Sequence, residues 1–178
     1  MTANEVMVRM AHNNAWANLR LHRAVGELDD SEYRAQRTSF FPSLHLTLAH
    51  ILFVDIFYID ALEASGRPPP WDESDAFDKT GTFAELRERQ REVDKRLIAC
   101  ASGALDDEIR IPRKDHVQTD TRGNVLLHLL EHQIHHRGQV HAMLAGTRVK
   151  PPQLDEFFLR DELPLRAAEL SELGLPLR

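Results

Sequence analysis

The spacing of apolar and polar positions predicts two amphipathic helices in the first hundred residues. In the first helix, apolar side chains recur at steps of three and four, Thr2 or Asn4 can serve as N-cap, and the end falls near Gly26. The other helix opens at Thr82 and has an equally regular pattern, with charge at most other positions. The seam positions are Met7, Met10, Asn14, Ala17, Leu21, Ala24 and Leu28 in the first helix, and Phe83, Leu86, Gln90, Val93, Leu97 and Cys100 in the other.

The segment between them predicts a helix that is apolar on two sides. It begins at Pro42-Ser43, a good helix start, and runs to about Ser65-Gly66. One side carries Leu44, Leu48, Ile51, Tyr58 and Leu62, and the second carries Phe53 and Phe57. A helix with two apolar sides needs two neighbours, which also makes a homodimer an expectation. The richest apolar run contains Asp55 and is shorter than the ~20 residues of a membrane span, so we expect no membrane association.

A fourth helix, rich in histidine, follows an N-cap chosen from Thr119, Asp120 and Thr121, and ends at Gly146. Residues 66–81 form a long polar link of the kind that a crossover in a bundle requires. Residues 104–120 predict an irregular loop with room for a short strand pair. Beyond Pro151, residues 154–178 form a C-terminal extension with helical pieces.

These elements predict an all-α fold: a four-helix bundle with a long crossover connection, in an up-up-down-down or similar crossed topology, and a C-terminal extension. A chain of 178 residues with 42% apolar and 28% charged residues is ordinary for one domain, so we expect residues 1–178 to form a single unit.

Charge and cysteine content narrow the possible partners and compartment. The formal net charge of −6, with basic and acidic residues interspersed, gives no reason to expect nucleic acid. Cys100 is the only cysteine, so no internal disulfide can form, and the first residues lack the apolar stretch of a signal peptide. We therefore expect a cytoplasmic protein that acts on a small molecule.

Five histidines lie between positions 128 and 141, a density that neither helix propensity nor packing explains. His128, His132 and His136 are each four residues apart, so they share one narrow stripe of the helix. A lone histidine on an apolar face is usually a hydrogen-bonded core residue. Two at this spacing can instead grip one borderline divalent cation, with zinc or nickel the first choices.

A third ligand must come from another helix, and His50 is the leading candidate. It lies in the most apolar helix, where an unpartnered imidazole would be desolvated without compensation; the alternative is a core histidine with an ordinary partner. His45 points about 140° away by helical geometry and should face elsewhere. Three imidazoles with a fourth position open are typical of a catalytic ion.

The chain resembles the DinB family of damage-inducible, metal-binding four-helix-bundle proteins over roughly residues 5–160. The likeness is carried by His132-Gln-Ile-His135-His136-Arg137-Gly138-Gln139, by Leu48-Ala-His50-Ile-Leu, and by Asn14-Ala-Trp16-Ala-Asn18. The resemblance implies a crossed bundle, frequent homodimers, and a divalent ion held by residues that match His50, His132 and His136.

The resemblance also implies a looser expectation about chemistry. The wider superfamily includes thiol-dependent S-transferases and a mycothiol-dependent maleylpyruvate isomerase. We therefore expect a metal-dependent transferase or isomerase that activates a low-molecular-weight thiol or water, with a non-enzymatic metal-binding or stress-response protein as the alternative. A di-metal carboxylate bundle is disfavoured, because Glu131 has no histidine three residues later.

Other polar residues have several possible roles. His128, one turn from the pair, is a candidate acid or base in catalysis, with packing or exposure as the alternative. Asp55 and Asp60 are candidates to orient a ligand imidazole, although capping or exposure explains them equally. Arg137 and Gln139 either hold neighbouring structure or line a pocket. Gly138, inside a helix, predicts a close helix contact.

Overall fold

The computed structural model describes residues 1–64, 66 and 81–177, which are mostly helical. The helices are α1 (Ala3–Val25), α2 (Asp30–Arg34), α3 (Leu44–Leu62), α4 (Phe83–Cys100), α5 (Arg122–Leu144) and α6 (Leu163–Leu173). Two strands, β1 (Glu108–Pro112) and β2 (Val117–Thr121), form an antiparallel pair. The all-α prediction is therefore broadly confirmed, with a small sheet added to it.

Local capping explains where the long helices begin. The Thr2 side chain accepts a hydrogen bond from the backbone N–H of Glu5, whose carboxylate accepts from the Thr2 backbone in return. Thr82 and Glu85 form the same reciprocal cap on α4, and the Thr121 side chain caps α5. Each predicted start is confirmed, and the alternatives left open at α1 and α5 resolve to Thr2 and Thr121.

The four long helices pack so that α3 touches α4 and α5, and α1 touches the same two helices. Asp55 lies beside Gln90 and Asp60 beside Arg96, so α3 and α4 run in the same direction. His50 faces His132 while Tyr58 faces His128, so α3 and α5 run in opposite directions. The predicted crossover connection, residues 66–81, lies outside the described residues except for its two ends.

The core lies between these helices and extends under the strand pair. Ile109 and Ile111 of β1 are buried, and β1 contacts α3. The short strand pair allowed for in the sequence is therefore present. A smaller apolar cluster, formed by Trp16, Ala17, Phe157 and Leu170, fixes the C-terminal extension to α1. The indole N–H of Trp16 also donates to Glu169 of α6 at 2.6 Å.

Helix α3 is, among the described helices, the one long and apolar enough to cross a membrane by length and composition. It packs against α4 and α5, and more than half of it is buried inside the chain. Leu48 and Ile51 on one side and Phe57 on the other are buried within the chain. Phe53 and Tyr58 on the same faces are half-buried, so these faces are only partly covered internally, and the homodimer stays a prediction.

Candidate metal centre

Three imidazoles from two antiparallel helices converge on one point. His132 and His136 lie one turn apart on α5, and α3 brings His50 opposite them. One nitrogen from each ring lies within 4.8 Å of the others, and the Nε2 atoms of His50 and His132 are 3.0 Å apart. The ring centroids are separated by 4.4 to 5.0 Å. The structure therefore brings together all three of the predicted ligands.

The surroundings keep these rings neutral. Burial, and to a lesser extent the nearby His136, lowers the pKa of His50 to about 4. Burial together with His136 and His50 lowers the pKa of His132 to about 3. Burial also lowers the pKa of His136. At neutral pH the site presents unprotonated imidazoles, which is the form that binds a metal.

The neighbours of the rings determine which nitrogen is free. Gln139 Oε1 lies 2.8 Å from His136 Nδ1, so it accepts that proton and leaves Nε2 as the electron-pair donor.

The Phe41 ring packs at centroid distances of 4.3 Å from His50 and 5.7 Å from His136, which excludes water from that side. Sequence analysis did not select Phe41, because it precedes α3 and follows no periodic pattern.

The residues present fit a borderline divalent ion. The Nε2 atoms of His50 and His132 face each other at 3.0 Å, so that either one donates a proton to the other or both bind one cation. The buried Nδ1 of His132 has no hydrogen-bond partner among the described residues. Neutral imidazole donors without a carboxylate suit zinc, nickel or copper better than magnesium or calcium. Within the described part of the chain this is the one such cluster.

His128 lies beside the centre rather than in it. Its exposed ring has its centroid 6.1 Å from His132 and 4.9 Å from Tyr58. The guanidinium of Arg113, from the turn after β1, donates to the Tyr58 hydroxyl at 3.0 Å. These three side chains form a polar path that leads from the surface to His132, and a catalytic role for His128 stays a prediction.

His45, His141 and the two aspartates lie away from the converging nitrogens of the three histidines. His45 is buried against the Tyr33 ring, as its predicted direction required. His141 lies 3.0 Å from the Pro152 carbonyl oxygen, and Asp60 pairs with Arg96. Asp55 accepts hydrogen bonds from two glutamine side chains. In the described residues it is Gln139, rather than either aspartate, that is seen to orient a ligand imidazole.

A buried polar network fills the space between the four helices. Arg137 of α5 donates to Asn14, to Asn18 at 3.2 Å and to Gln133 at 2.8 Å. On the other side of the network, Asp94 accepts from Asn14 and Asn18 of α1 and from Gln90 of α4, and Asp55 of α3 accepts from Gln90 and Gln133. Arg137 thus holds structure together and does not line the histidine site.

Burial shifts the pKa values of the charged groups in this network. Desolvation raises the pKa of Asp55 to about 8 and that of Asp94 to about 6, although hydrogen bonds and Arg137 oppose the shift. Desolvation lowers the pKa of Arg137 to about 10, so it remains a cation at neutral pH. Because Gln133 lies between the two α5 ligands in sequence, the network fixes the helix segment that carries them.

Comparison with known proteins gives one family. The model of the family described as DinB family matches residues 1–164, which include all three histidines. No curated protein matches the chain.

Proposed function

Because this chain belongs to the DinB family, we propose that it is a divalent-metal-binding protein, and specifically a metal-dependent transferase or isomerase that activates a low-molecular-weight thiol or water. The observation that carries the proposal is the convergence of His50, His132 and His136. Zinc and nickel are the ions that we favour. A cytoplasmic location, the crossed four-helix bundle and a homodimer belong to the same proposal.

The donor set supports an enzyme over a sealed structural site. His50, His132 and His136 supply three neutral nitrogens, and no fourth ligand belongs to the cluster among the described residues. Structural zinc sites are closed by four protein ligands, whereas catalytic sites keep one position for water or substrate. When bound, an ion with three neutral ligands lowers the pKa of a coordinated water or thiol towards neutrality.

Other residues of the chain can fix a tautomer, exclude water from the rings and exchange a proton with a substrate. Gln139 fixes the tautomer of His136, and Phe41 keeps water from one side of the rings. His128 is within reach of the centre and is exposed to solvent, so it can exchange a proton with a substrate there. Arg113 donates a hydrogen bond to the Tyr58 hydroxyl, and the Tyr58 ring packs against the ring of His128.

The assignment is tested by metal uptake of His50→Ala, His132→Ala and His136→Ala, measured by elemental analysis after dialysis against zinc or nickel. Each variant should lose stoichiometric binding while its far-UV circular dichroism stays helical. His116→Ala changes an exposed histidine in the turn between β1 and β2; this matched control should bind one ion per chain. Full uptake in all three site variants would reject the assignment.

The thiol is tested separately, by isothermal titration of metal-loaded protein with cysteine, glutathione and other small thiols. Binding that disappears in the metal-free protein supports thiol activation. If no thiol binds, thiol activation is rejected, and the activation of water and the non-enzymatic alternative remain. His128→Ala should keep its metal and lose turnover, which separates a proton-transfer role from a ligand role.

A further inference from the structure

A cavity of about 310 Å³ lies between α1, α4 and the C-terminal segment. The histidine site lies between α3 and α5, so the two sites occupy different helix pairs. The lining residues are Ala15, Asn18, Leu19, His22 and Arg23 from α1, Arg87, Arg91, Asp94, Lys95 and Ile98 from α4, and Glu172, Leu173 and Leu175 from the C-terminal segment. A cavity of this size can hold a small organic molecule.

Positive charge is concentrated on the α4 side of this cavity. Arg87, Arg91 and Lys95 follow at steps of four and share one face of the helix, an arrangement in which like charges repel. Lys95 pairs with Glu92 at 2.6 Å. Arg87 and Arg91 make no hydrogen bond or ion pair within the described part of the chain. Two guanidinium groups without a counter-charge therefore border a cavity in a chain whose net charge is −6.

The floor of the cavity is polar, and its one carboxylate, Asp94, has the charge of Arg137 close by. Asn18 and His22 are buried, and burial, Arg87 and Arg137 lower the pKa of His22 to about 3, so the ring is neutral. Asp94 is also buried, and its oxygens already accept from the side chains of the network. The single acidic group at the rim, Glu172, is paired with Arg23. The free charge facing the cavity is therefore positive.

Apolar side chains complete the wall, and part of it comes from outside the family match. Leu173 and Leu175 follow residue 164, where the family model ends. Gly174, at a φ of 67°, turns the chain between them, and the Leu175 N–H donates to the Leu170 carbonyl at 2.8 Å. Glu169 ties this segment to α1 through Trp16. The cavity is thus built by a C-terminal segment that the family model does not include.

We propose that this cavity binds a small amphipathic anion, with its carboxylate or phosphate group held by Arg87 and Arg91 and its apolar part against Leu19, Ile98 and Leu173. Arginine matches these oxyanions with paired hydrogen bonds, which accounts for two unpaired arginines one turn apart. The proposal does not depend on the metal centre.

The test is isothermal titration of the full chain with octanoate, octanol and inorganic phosphate. Octanoate should bind, octanol should bind at least about tenfold more weakly, and Arg87→Gln and Arg91→Gln should each weaken octanoate by about tenfold or more. Arg110→Gln, an exposed arginine on β1, removes the same charge elsewhere and should leave binding unchanged. Chemical-shift changes of the His22 ring and the Asn18 side-chain amide provide a second readout in the folded wild-type protein.

The outcomes separate the parts of the proposal. Phosphate binding that depends on both arginines, with no binding of octanoate, supports the anion site and overturns the apolar part. If Arg87→Gln and Arg110→Gln bind octanoate with equal affinity, the attraction comes only from general charge, and the proposed site is wrong. Absence of binding by all three probes overturns the whole proposal and leaves Arg87 and Arg91 as a solvated helix face.

Discussion

Removal of the Arg137 guanidinium tests whether the buried network holds the helices together. Arg137 is 5% exposed, and it donates to Asn14, Asn18 and Gln133. In Arg137→Met, the methionine fills most of the volume but leaves these oxygens without their donor. It also leaves Asp94 without the nearby positive charge that favours its ionised form.

The expected loss follows from breaking a buried ionic group by removing one partner, which costs about 3–5 kcal/mol. The cost should depend on pH. Because burial raises the pKa of Asp94 to about 6, this carboxyl is largely protonated at pH 5.5 and needs the arginine least there. In the variant at pH 7.5, Asp94 either keeps a charge that has no nearby cation or takes up a proton. Taking up the proton costs about 1.4 kcal/mol for each unit by which the pH exceeds its pKa. The destabilisation should therefore be larger at pH 7.5 than at pH 5.5.

Urea denaturation of the metal-free protein, followed by far-UV circular dichroism at both pH values, measures the free energy of unfolding. Arg137→Lys keeps the charge and loses the planar fork, so its loss should be smaller. Arg110→Met changes an exposed arginine and should cost less than about 0.5 kcal/mol. A loss below about 1 kcal/mol in Arg137→Met, or one that does not grow with pH, would refute this account of the network.

Three further outcomes are expected. Gly138→Ala should stabilise the protein by about 0.5–1 kcal/mol in thermal or urea unfolding, because no atom lies within 4 Å of an added Cβ; destabilisation would show that the position is covered. Gln139→Ala should weaken metal affinity by about 10- to 100-fold in competition titrations without loss of helicity, since His136 loses the partner that fixes its tautomer; unchanged affinity would contradict this. For Asp55, whose pKa rises from 3.8 to about 8, the folded state binds a proton that the unfolded chain releases, so wild-type stability falls between about pH 4 and pH 8. The stability of Asp55→Asn relative to wild type should therefore rise across that window, and a flat difference would count against it.

The histidine centre could be predicted from the sequence because the spacing of its two α5 residues is local. Spacing alone places His132 and His136 on one stripe, and of the two histidines in the most apolar helix, His45 and His50, only His50 had a suitable direction. Helix starts were equally accessible, since Thr82 is followed by Glu85 at the distance that a reciprocal cap needs. The pair on α5 and the helix caps depend on residues close together in the chain, whereas His50 was selected by the character of its own helix.

The buried network was harder to predict from the sequence because it depends on pairing between helices that are distant in the chain. Asn14 and Gln90 were visible as polar members of otherwise apolar seams, but nothing in the pattern indicated that they meet at Asp94. Asp94 itself resembles any other charge on α4. The five-residue helix α2 is too short for a periodic signal.

The close contact expected at Gly138 was wrong. This glycine is exposed, and open space surrounds it. A helical glycine predicts close approach only when a neighbouring element lies over that face, and the sequence does not show which face is covered.

The separation of His50 and His132 along the chain determines when an ion can enter. The two residues are 82 positions apart and are brought together only by the folded arrangement of α3 and α5, whereas the pair on α5 is local. A nascent or unfolded polypeptide can therefore bind an ion at this site through at most two nitrogen atoms. The third nitrogen joins them once folding is complete. For an ion bound as proposed, loading would be a late step in maturation and the ion a removable cross-link, so we expect chelators to shorten the lifetime of the native state without changing its architecture.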